Sequence, residues 1–486
     1  MKKILIGLFL AIDLLIVILL FNTFTFDSRQ LETALITPIT VSDSARYRMA
    51  TAISIPTISH ENPALFDSAA FDTFTQFLES SYPLVHQSLE VTPINKYSRI
   101  YHWQGKQSSL KPIILMGHLD VVPVPQENLP KWTEAPFGMT IKDNIIWGRG
   151  AIDDKISVIG NLEAVEGLLR EGYQPERSVY LCFGHDEELG GLNGAIPIVN
   201  HLKSKGVEAE FVLDEGFAIT QGLTPGIDQD LALIGTAEKG FVSLTLSVQL
   251  KGGHSSMPAK ESAIDVLAKA IVKLKENPFP ATLTEPVRDF MEHAGPEMPF
   301  LQKMAFANRW LLEPMIMNVF ESTPSGNSMI RTTTAPTIFQ SGIKENIIPY
   351  EAKATVNFRI VPGMSIKEVK ERVAKLIDDE RIQITEGSFN SEAPASSPTN
   401  SLGYERIRQT IHEIFPETLS SPNLVVGATD SRYYYPLSPN VYRFTPIYLN
   451  SETVGTFHGV DERISVSDFE NAIRYYVQLI KNSTKS

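Results

Sequence analysis

Residues 177–191 read RSVYLCFGHDEELGG: an apolar run from Val179 to Phe183 ends in three consecutive acids, Asp186, Glu187 and Glu188, and then two glycines. Neighbouring carboxylates repel one another and lose hydration when crowded. An acidic triplet at a strand end is therefore either a solvated loop or a place where something cationic compensates it. The pattern recurs along the chain. PIILMGHLDVV (112–122) and AEFVLDEG (209–216) are further apolar runs that end in polar clusters. Between the first two strands in chain order, SVIGNLEAVEGLLREG (157–172) has helical spacing and a glycine stop. Strands alternating with helices predict an α/β domain built on a mostly parallel sheet covered on both faces. In such sheets ligands collect at the carboxyl ends of the strands, where all three polar clusters fall.

From about Glu238 the texture changes. GFVSLTLSVQLKG (240–252) alternates with period two, and the helix-like SAIDVLAKAIVKLKE (262–276) follows. TTTAPTIFQSG (332–342) and YEAKATVNFRIVPG (350–363) read as strands, SIKEVKERVAKLIDDE (365–380) as a helix and RIQITEG (381–387) as a strand. This β-α-β-β-α-β order is that of a ferredoxin-like α+β domain. The expected organisation is a catalytic domain in two parts, 44–237 and 393–486, with a lid or dimerisation domain, 238–392, inserted between them. Within the insertion, residues 279–330 are rich in large apolar side chains, Phe290, Met291, Phe300, Leu301, Met304, Phe306, Trp310, Leu311 and Met315 among them. They read either as the core of an enlarged lid or as a pocket for a flexible apolar ligand.

The chain of 486 residues has an ordinary globular composition and a formal charge of −13, which argues against nucleic acid or an anionic membrane surface as a main partner. Cys182 is the only cysteine, so neither an intrachain disulfide nor a cysteine-based metal site can form. At the N-terminus, Lys2 and Lys3 precede an apolar stretch from Ile4 to Phe21 broken only by Asp13. That is near the length that crosses a bilayer as a helix. Without a clear small-residue cleavage site, residues 1–26 read as a signal anchor rather than a cleaved signal peptide, and 27–43 as a polar tether. Lysines on the inside would place the body on the extracytoplasmic side; cleavage would instead secrete it.

Acids and histidines gather at the strand ends: His118 and Asp120, Asp153 and Asp154, the triplet at 186–188, Asp214 and Glu215, and His458 near the C-terminus. Strand alternation turns His118 and Asp120 to one side, so one can ligate a metal while the other orients it. Singly, each has an ordinary reading as a core histidine, turn or cap. Together, two histidines and three carboxylates can hold a pair of divalent ions with one carboxylate between them, and such ions would also compensate the acidic triplet.

GHLDVVP, GRGAIDDK, DEELGG, LDEG, GGHSSMP, ENIIP, ATDSR and FHGVDERIS occur in that order. The chain after about Ser44 thereby resembles the aminoacylase/carboxypeptidase family of di-zinc metallopeptidases, which includes acetylornithine deacetylase, peptidase T and carboxypeptidase S. Longer stretches, such as MIRTTTAPTIFQSGIKENIIP (329–349), are similar to a mammalian branch that makes and cleaves N-fatty-acyl amino acids. The resemblance implies two Zn²⁺ per subunit, His118 and Asp214 holding one, Glu188 and His458 the other, and Asp153 bridging them. It implies Glu187 as general base and Asp120 as the residue orienting His118. His254 would reach across a homodimer to help stabilise the oxyanion, and Arg359, Asn346 and Arg432 would contact the substrate. Asp154 stands where many relatives have methionine, and His185 has no implied role.

The implied function is a zinc-dependent amidohydrolase that cleaves, and in reverse forms, the amide of N-acyl amino acids, with long acyl chains expected from the branch resembled. A carboxypeptidase or dipeptidase acting on small peptides with a free carboxylate is the alternative, since both need the same metal site and carboxylate grip. A non-catalytic surface binding protein would be signalled by loss of Glu187 or of a ligand, and all are present.

Overall fold

The computed structural model describes residues 2–34, 36–37 and 39–485. Position 1 of the expected anchor, positions 35 and 38 of the expected tether and position 486 lie outside the described residues. The acidic triplet does terminate a core strand. Val179–Gly184 lies beside Ile113–His118, which pairs in turn with Phe211–Asp214, and Val441–Arg443 follows, all four parallel. Alternation sorts their side chains into two cores. Ile113, Leu115, Leu181 and Phe183 meet the helices Lys155–Arg170 and Val466–Thr484 on one face. Ile114, Met116, Cys182 and Val212 meet the helix Ala195–Ser204 on the other. Burial on both faces explains why these strands are apolar throughout rather than alternating.

The sheet is parallel at its centre and mixed at its flanks. The antiparallel hairpin Glu90–Ile94 and Ser98–Trp103 extends one side, and Leu231–Glu238, antiparallel to Val441–Arg443, extends the other and carries the parallel strand Leu419–Val425. A separate antiparallel sheet runs in the order Thr333–Ser341, Glu351–Ile360, Gly240–Gln249, Ile382–Ser391. With the helices Ala263–Glu276 and Ile366–Ile377 it has the ferredoxin-like order read from the sequence. Both helices begin with a capping box, Ser262 with Asp265 and Ser365 with Glu368, which satisfies orphan amides at each N-terminus.

Apart from Phe279, which packs on Phe358, the apolar segment 279–330 does not enlarge the core of this second sheet. It forms the helices Glu285–Ala294, Phe300–Ala307, Arg309–Glu321 and Pro324–Ile330. Their buried residues Val287, Phe290, Met291 and Ile316, with Met298 between the first two helices, pack with Leu231, Leu233 and Leu419 of the first sheet. The segment is inserted in the second unit by sequence but docked on the first by contact, on the apolar surface of Leu231–Glu238 and Leu419–Val425. Its other side is exposed at Phe300, Leu301, Trp310, Leu311 and Met315.

The N-terminal helix Lys2–Phe24 is apolar along its length and almost wholly exposed. The polar segment after it is held to the body: the Gln30 amide donates to the carbonyls of His293 (3.1 Å) and Ser420 (3.2 Å) and accepts from Ser420 N (2.8 Å).

Candidate metal centre

Five segments build the site: the carboxyl ends of the central strands Ile113–His118, Val179–Gly184 and Phe211–Asp214, the turn before the helix Lys155–Arg170 that carries Asp153, and the loop that carries His458. Ile113–His118 delivers His118, whose side chain is 2% exposed. Its Nε2 lies 2.8 Å from Asp153 Oδ1, and its Nδ1 lies 2.9 Å from the carbonyl of Asp120 and 3.4 Å from the Asp120 carboxylate. The other Asp153 oxygen, Oδ2, lies 2.9 Å from His458 Nε2, which is 3.2 Å from Glu188 Oε1. Asp153 therefore stands between two histidines with one oxygen toward each. Two groups of potential ligand atoms, each within 4.8 Å of one another, share it: His118, Asp153 and Glu215, and Asp153, Glu188 and His458.

Asp214, expected as a ligand, is in neither group. It ends the strand Phe211–Asp214 with its side chain buried, and its Oδ2 accepts from the amide of Ser431 at 2.9 Å. Glu215, just past the strand, is the one grouped with His118 and Asp153.

Asp120 does more than face His118. Its fully buried carboxylate accepts from the amides of Glu187 and Glu188, each at 3.1 Å, and from Ser59 Oγ. It thus fixes the short turn Glu187–Leu189 that carries both acids. The role of Asp154 also becomes concrete: its carboxylate accepts from the amide of His118 (3.3 Å) and from the hydroxyl of Ser157 in the first turn of Lys155–Arg170. His185 is structural, with Ser98 Oγ on its Nδ1 at 2.6 Å and its ring edge on Phe71 and Tyr97. Asp186 accepts from the amide of Asn193 (2.7 Å) and braces the loop.

The loop's glycines are demanded by close approach. Gly190 and Gly191 both have positive φ, and a Cβ on Gly190 would lie 2.6 Å from the ring of Phe389. Phe389 belongs to Ile382–Ser391, so the second sheet touches the acidic turn here. The rings of Phe389 and Phe241 lie 5.5 Å apart, with Arg432 over the first (5.6 Å) and Arg359 over the second (4.8 Å). Burial, then the charge of Arg432, depresses the Arg359 guanidinium; burial of Arg432 is outweighed by Asp430, Glu238, Tyr433 and Glu187. The two guanidiniums and Glu187 therefore share one electrostatic neighbourhood. His254 and Asn346 are exposed and adjoin one another in the ribbon Gly253–His254 with Ile347–Ile348, where the Ser255 amide donates to the Asn346 carbonyl (3.2 Å); neither belongs to the two ligand groups.

Charge in the cluster is finely opposed. Burial pushes the Glu187 carboxyl well above its usual range, His118 opposes this, and Asp430 and Glu188 add to it. Burial also lifts Glu215, with Asp153 and Asp214 reinforcing it. Asp153 is driven the other way: burial raises it, but the hydrogen bonds to His118 and His458 overcome that. Those same bonds from Asp153 and Glu188 lift His458 to about 10.

Glu462 and Arg149 hold the Asp153 loop. Buried together, they pair directly, and the other Glu462 oxygen accepts from the amides of Ile152 (2.8 Å) and Asp153 (3.1 Å). Removing one partner of a buried pair leaves an uncompensated charge, so Glu462→Ala should destabilise by about 3–5 kcal/mol. Denaturant unfolding of the variant measures this, and a loss under about 1 kcal/mol would contradict the account.

A parallel sheet whose strand ends converge on two ligand groups sharing one carboxylate is the architecture of a metal-dependent hydrolase. Comparison with known proteins gives the family. The model of peptidase family M20/M25/M40 matches residues 114–482, and the chain belongs to that family. It is 41% identical over 482 residues to a probable carboxypeptidase S-like protein of Dictyostelium discoideum, covering 97% of this chain and 92% of that protein. It is also 41% identical over 435 residues to the N-fatty-acyl-amino acid synthase/hydrolase of Xenopus tropicalis, covering 89% of this chain and 84% of that one. The fold is shared with the M20 metallo-carboxypeptidase of Sulfolobus solfataricus at a TM-score of 0.67 and 19% identity, over 91% of this chain and all of that one.

Proposed function

We propose that this metal-dependent amide hydrolase acts on N-acyl amino acids, in particular those with long acyl chains, using two zinc ions. The observation that carries the reading is the Asp153 carboxylate shared between two ligand groups, with Glu187 beside them and Arg432 and Arg359 in the same neighbourhood. His118, Asp153 and Glu215 would hold one ion, and Asp153, Glu188 and His458 the other, a nitrogen and oxygen donor set suited to zinc. When bound, the ions would supply Lewis acidity and make water nucleophilic near neutral pH. Glu187 would take the proton from that water and return it to the leaving amine. Arg359 and Arg432 would grip the substrate carboxylate, preorganised by the two phenylalanine rings beneath them. Long-chain acyl preference rests on the likeness to the Xenopus relative. The likeness to the Dictyostelium relative keeps carboxypeptidase action on small peptides as the second reading.

The wider organisation follows the same proposal. Residues 44–237 and 393–486 would form the catalytic unit and 238–392 the inserted lid. The edge strand Thr333–Ser341, exposed along most of its length, would pair two copies, and His254 would serve the neighbouring active site with Asn346 beside it. Lys2–Phe24 would be an uncleaved anchor that leaves the body on the extracytoplasmic side, with Lys2 and Lys3 inside.

Purified protein offered N-oleoyl- and N-acetyl-amino acids beside dipeptides tests the substrate reading. Efficiency should rise with acyl length; if dipeptides outrun every long-chain substrate, the protein is a peptidase. Arg359→Ala should lower kcat/KM by about ten- to a hundredfold for every carboxylate-bearing substrate, since a hydrogen bond to a charged group contributes about 1.5–3 kcal/mol. The same variant should leave turnover of a substrate amidated at that carboxylate unchanged, and an equal loss on both would remove Arg359 from the grip.

Chelation should abolish activity and zinc should restore it, one ion for each of the two ligand groups. Elemental analysis of dialysed, active protein without bound transition metal would contradict the proposal.

A further inference from the structure

The helices Phe300–Ala307 and Arg309–Glu321 expose a continuous apolar surface for which the hydrolase site gives no reason. At 3.6 residues per turn, Trp310, Leu311, Pro314, Met315, Asn318 and Val319 fall on one half of the second helix, and Glu313 falls on the other. Trp310 is 62% exposed and Val319 65%, and on the first helix Leu301 is 69% exposed. Scattered exposed apolar residues are ordinary, but a contiguous patch of aromatic and long aliphatic side chains marks an interaction surface.

What covers this patch follows from its attachment. The side chain of Asn308, at the junction of the two helices, is buried and bonded to the N-terminal helix: Nδ2 donates to the carbonyl of Leu19 (3.1 Å), and Oδ1 accepts from Asn22 Nδ2 (2.9 Å). The rings of Phe24 and Phe300 lie 6.2 Å apart, and Phe26, Phe306 and Trp310 line one groove. The helix Lys2–Phe24 has a mean hydropathy of 3.2 over its most apolar window, none of it buried. At 1.5 Å per residue it is about 34 Å long, against a hydrocarbon core of about 30 Å. Leu19 lies roughly 7 Å short of its end. A bilayer that takes up this helix must therefore reach the Asn308 junction.

We propose that the exposed face of Phe300–Glu321 lies in the phospholipid leaflet on the body's side of the membrane. It would sit beside the anchor at about the 5–10 Å depth of an interfacial helix. The proposal rests on reading Lys2–Phe24 as an uncleaved anchor. Two features suit that depth. The Asn308 amide is fully engaged, bonding Met304 O (2.9 Å) as well as the anchor, so this side chain brings no unpaired donor into hydrocarbon. At the rim, Arg29 and Arg309 pair with Glu292 at 2.8 and 2.9 Å, which places two guanidiniums at the level where lipid phosphates would lie. Trp310 beside them is the residue type enriched at that level. The body would then stand on the membrane at a fixed height and tilt rather than swing on a tether.

The test uses the full-length chain in phosphatidylcholine vesicles, with a thiol-reactive fluorophore at Leu10→Cys, Leu301→Cys, Trp310→Cys or Tyr350→Cys; the native Cys182 is buried and does not compete. Lipids carrying a quencher near the headgroup or deep in the acyl chain report depth. Labels at 301 and 310 should be quenched about twofold or more better by the shallow quencher than by the deep one, and the label at 10 the reverse. The label at 350, on the second unit, should respond only to aqueous iodide. Quenching at 10 with only iodide sensitivity at 301 and 310 would overturn the proposal and leave the anchor reading standing. No lipid quenching at 10 would overturn the anchor reading, and the proposal with it.

Discussion

Glu187→Gln keeps its metal and loses turnover, with kcat falling about a hundredfold or more. The expectation rests on how the turn Glu187–Leu189 divides its two acids. Asp120 pins both amides, and from that common base Glu188 reaches His458 while Glu187 stays outside both ligand groups. Burial pushes the Glu187 carboxyl above its usual range, and the nearby His118 opposes this. Glutamine matches glutamate in shape and removes only the base. Glu188→Gln is the matched control and should lower metal content as well as rate. Elemental analysis alongside steady-state kinetics separates the two, and near-wild-type kcat in Glu187→Gln would remove that residue from proton transfer.

Much of this centre was readable because it is built from strand ends. Apolar runs that stop at His118, at the triplet and at Asp214 announce a parallel sheet, and a parallel sheet brings its carboxyl ends together whatever the intervening loops do. The ferredoxin-like unit was readable for a similar reason, since Gly240–Gln249 and Glu351–Ile360 alternate cleanly with one face buried. Interactions between distant, weakly patterned segments left no such trace. Gln30 and Ser420 are 390 positions apart, and Asn308 and Leu19 are 289 apart. Neither pair is marked by periodicity, and each depends on where whole elements dock. The segment 279–330 is alike: its composition reveals an apolar face but not the sheet that receives it. Asp120 was half legible, its proximity to His118 following from alternation and its grip on two amides of another loop following only from the fold.

The sharpest remaining test concerns one residue. Asp214 and Glu215 are adjacent acids at a strand end, and a motif cannot tell which one turns inward. The geometry separates them: Glu215 groups with His118 and Asp153, whereas Asp214 is engaged by the Ser431 amide. Glu215→Ala should empty the position beside His118, leave the ion held by Glu188 and His458, and lower kcat about a thousandfold or more, because water activation between two ions is lost. Asp214→Asn retains an oxygen that can accept from Ser431, so metal content should hold and the rate should fall by no more than the roughly ten- to a hundredfold typical of residues that support a ligand from behind. Metal counted per chain in the two variants decides between them. If Asp214→Asn loses an ion and Glu215→Ala keeps both, then Asp214 is the ligand after all, and the loop 214–217 must turn over when the metal binds.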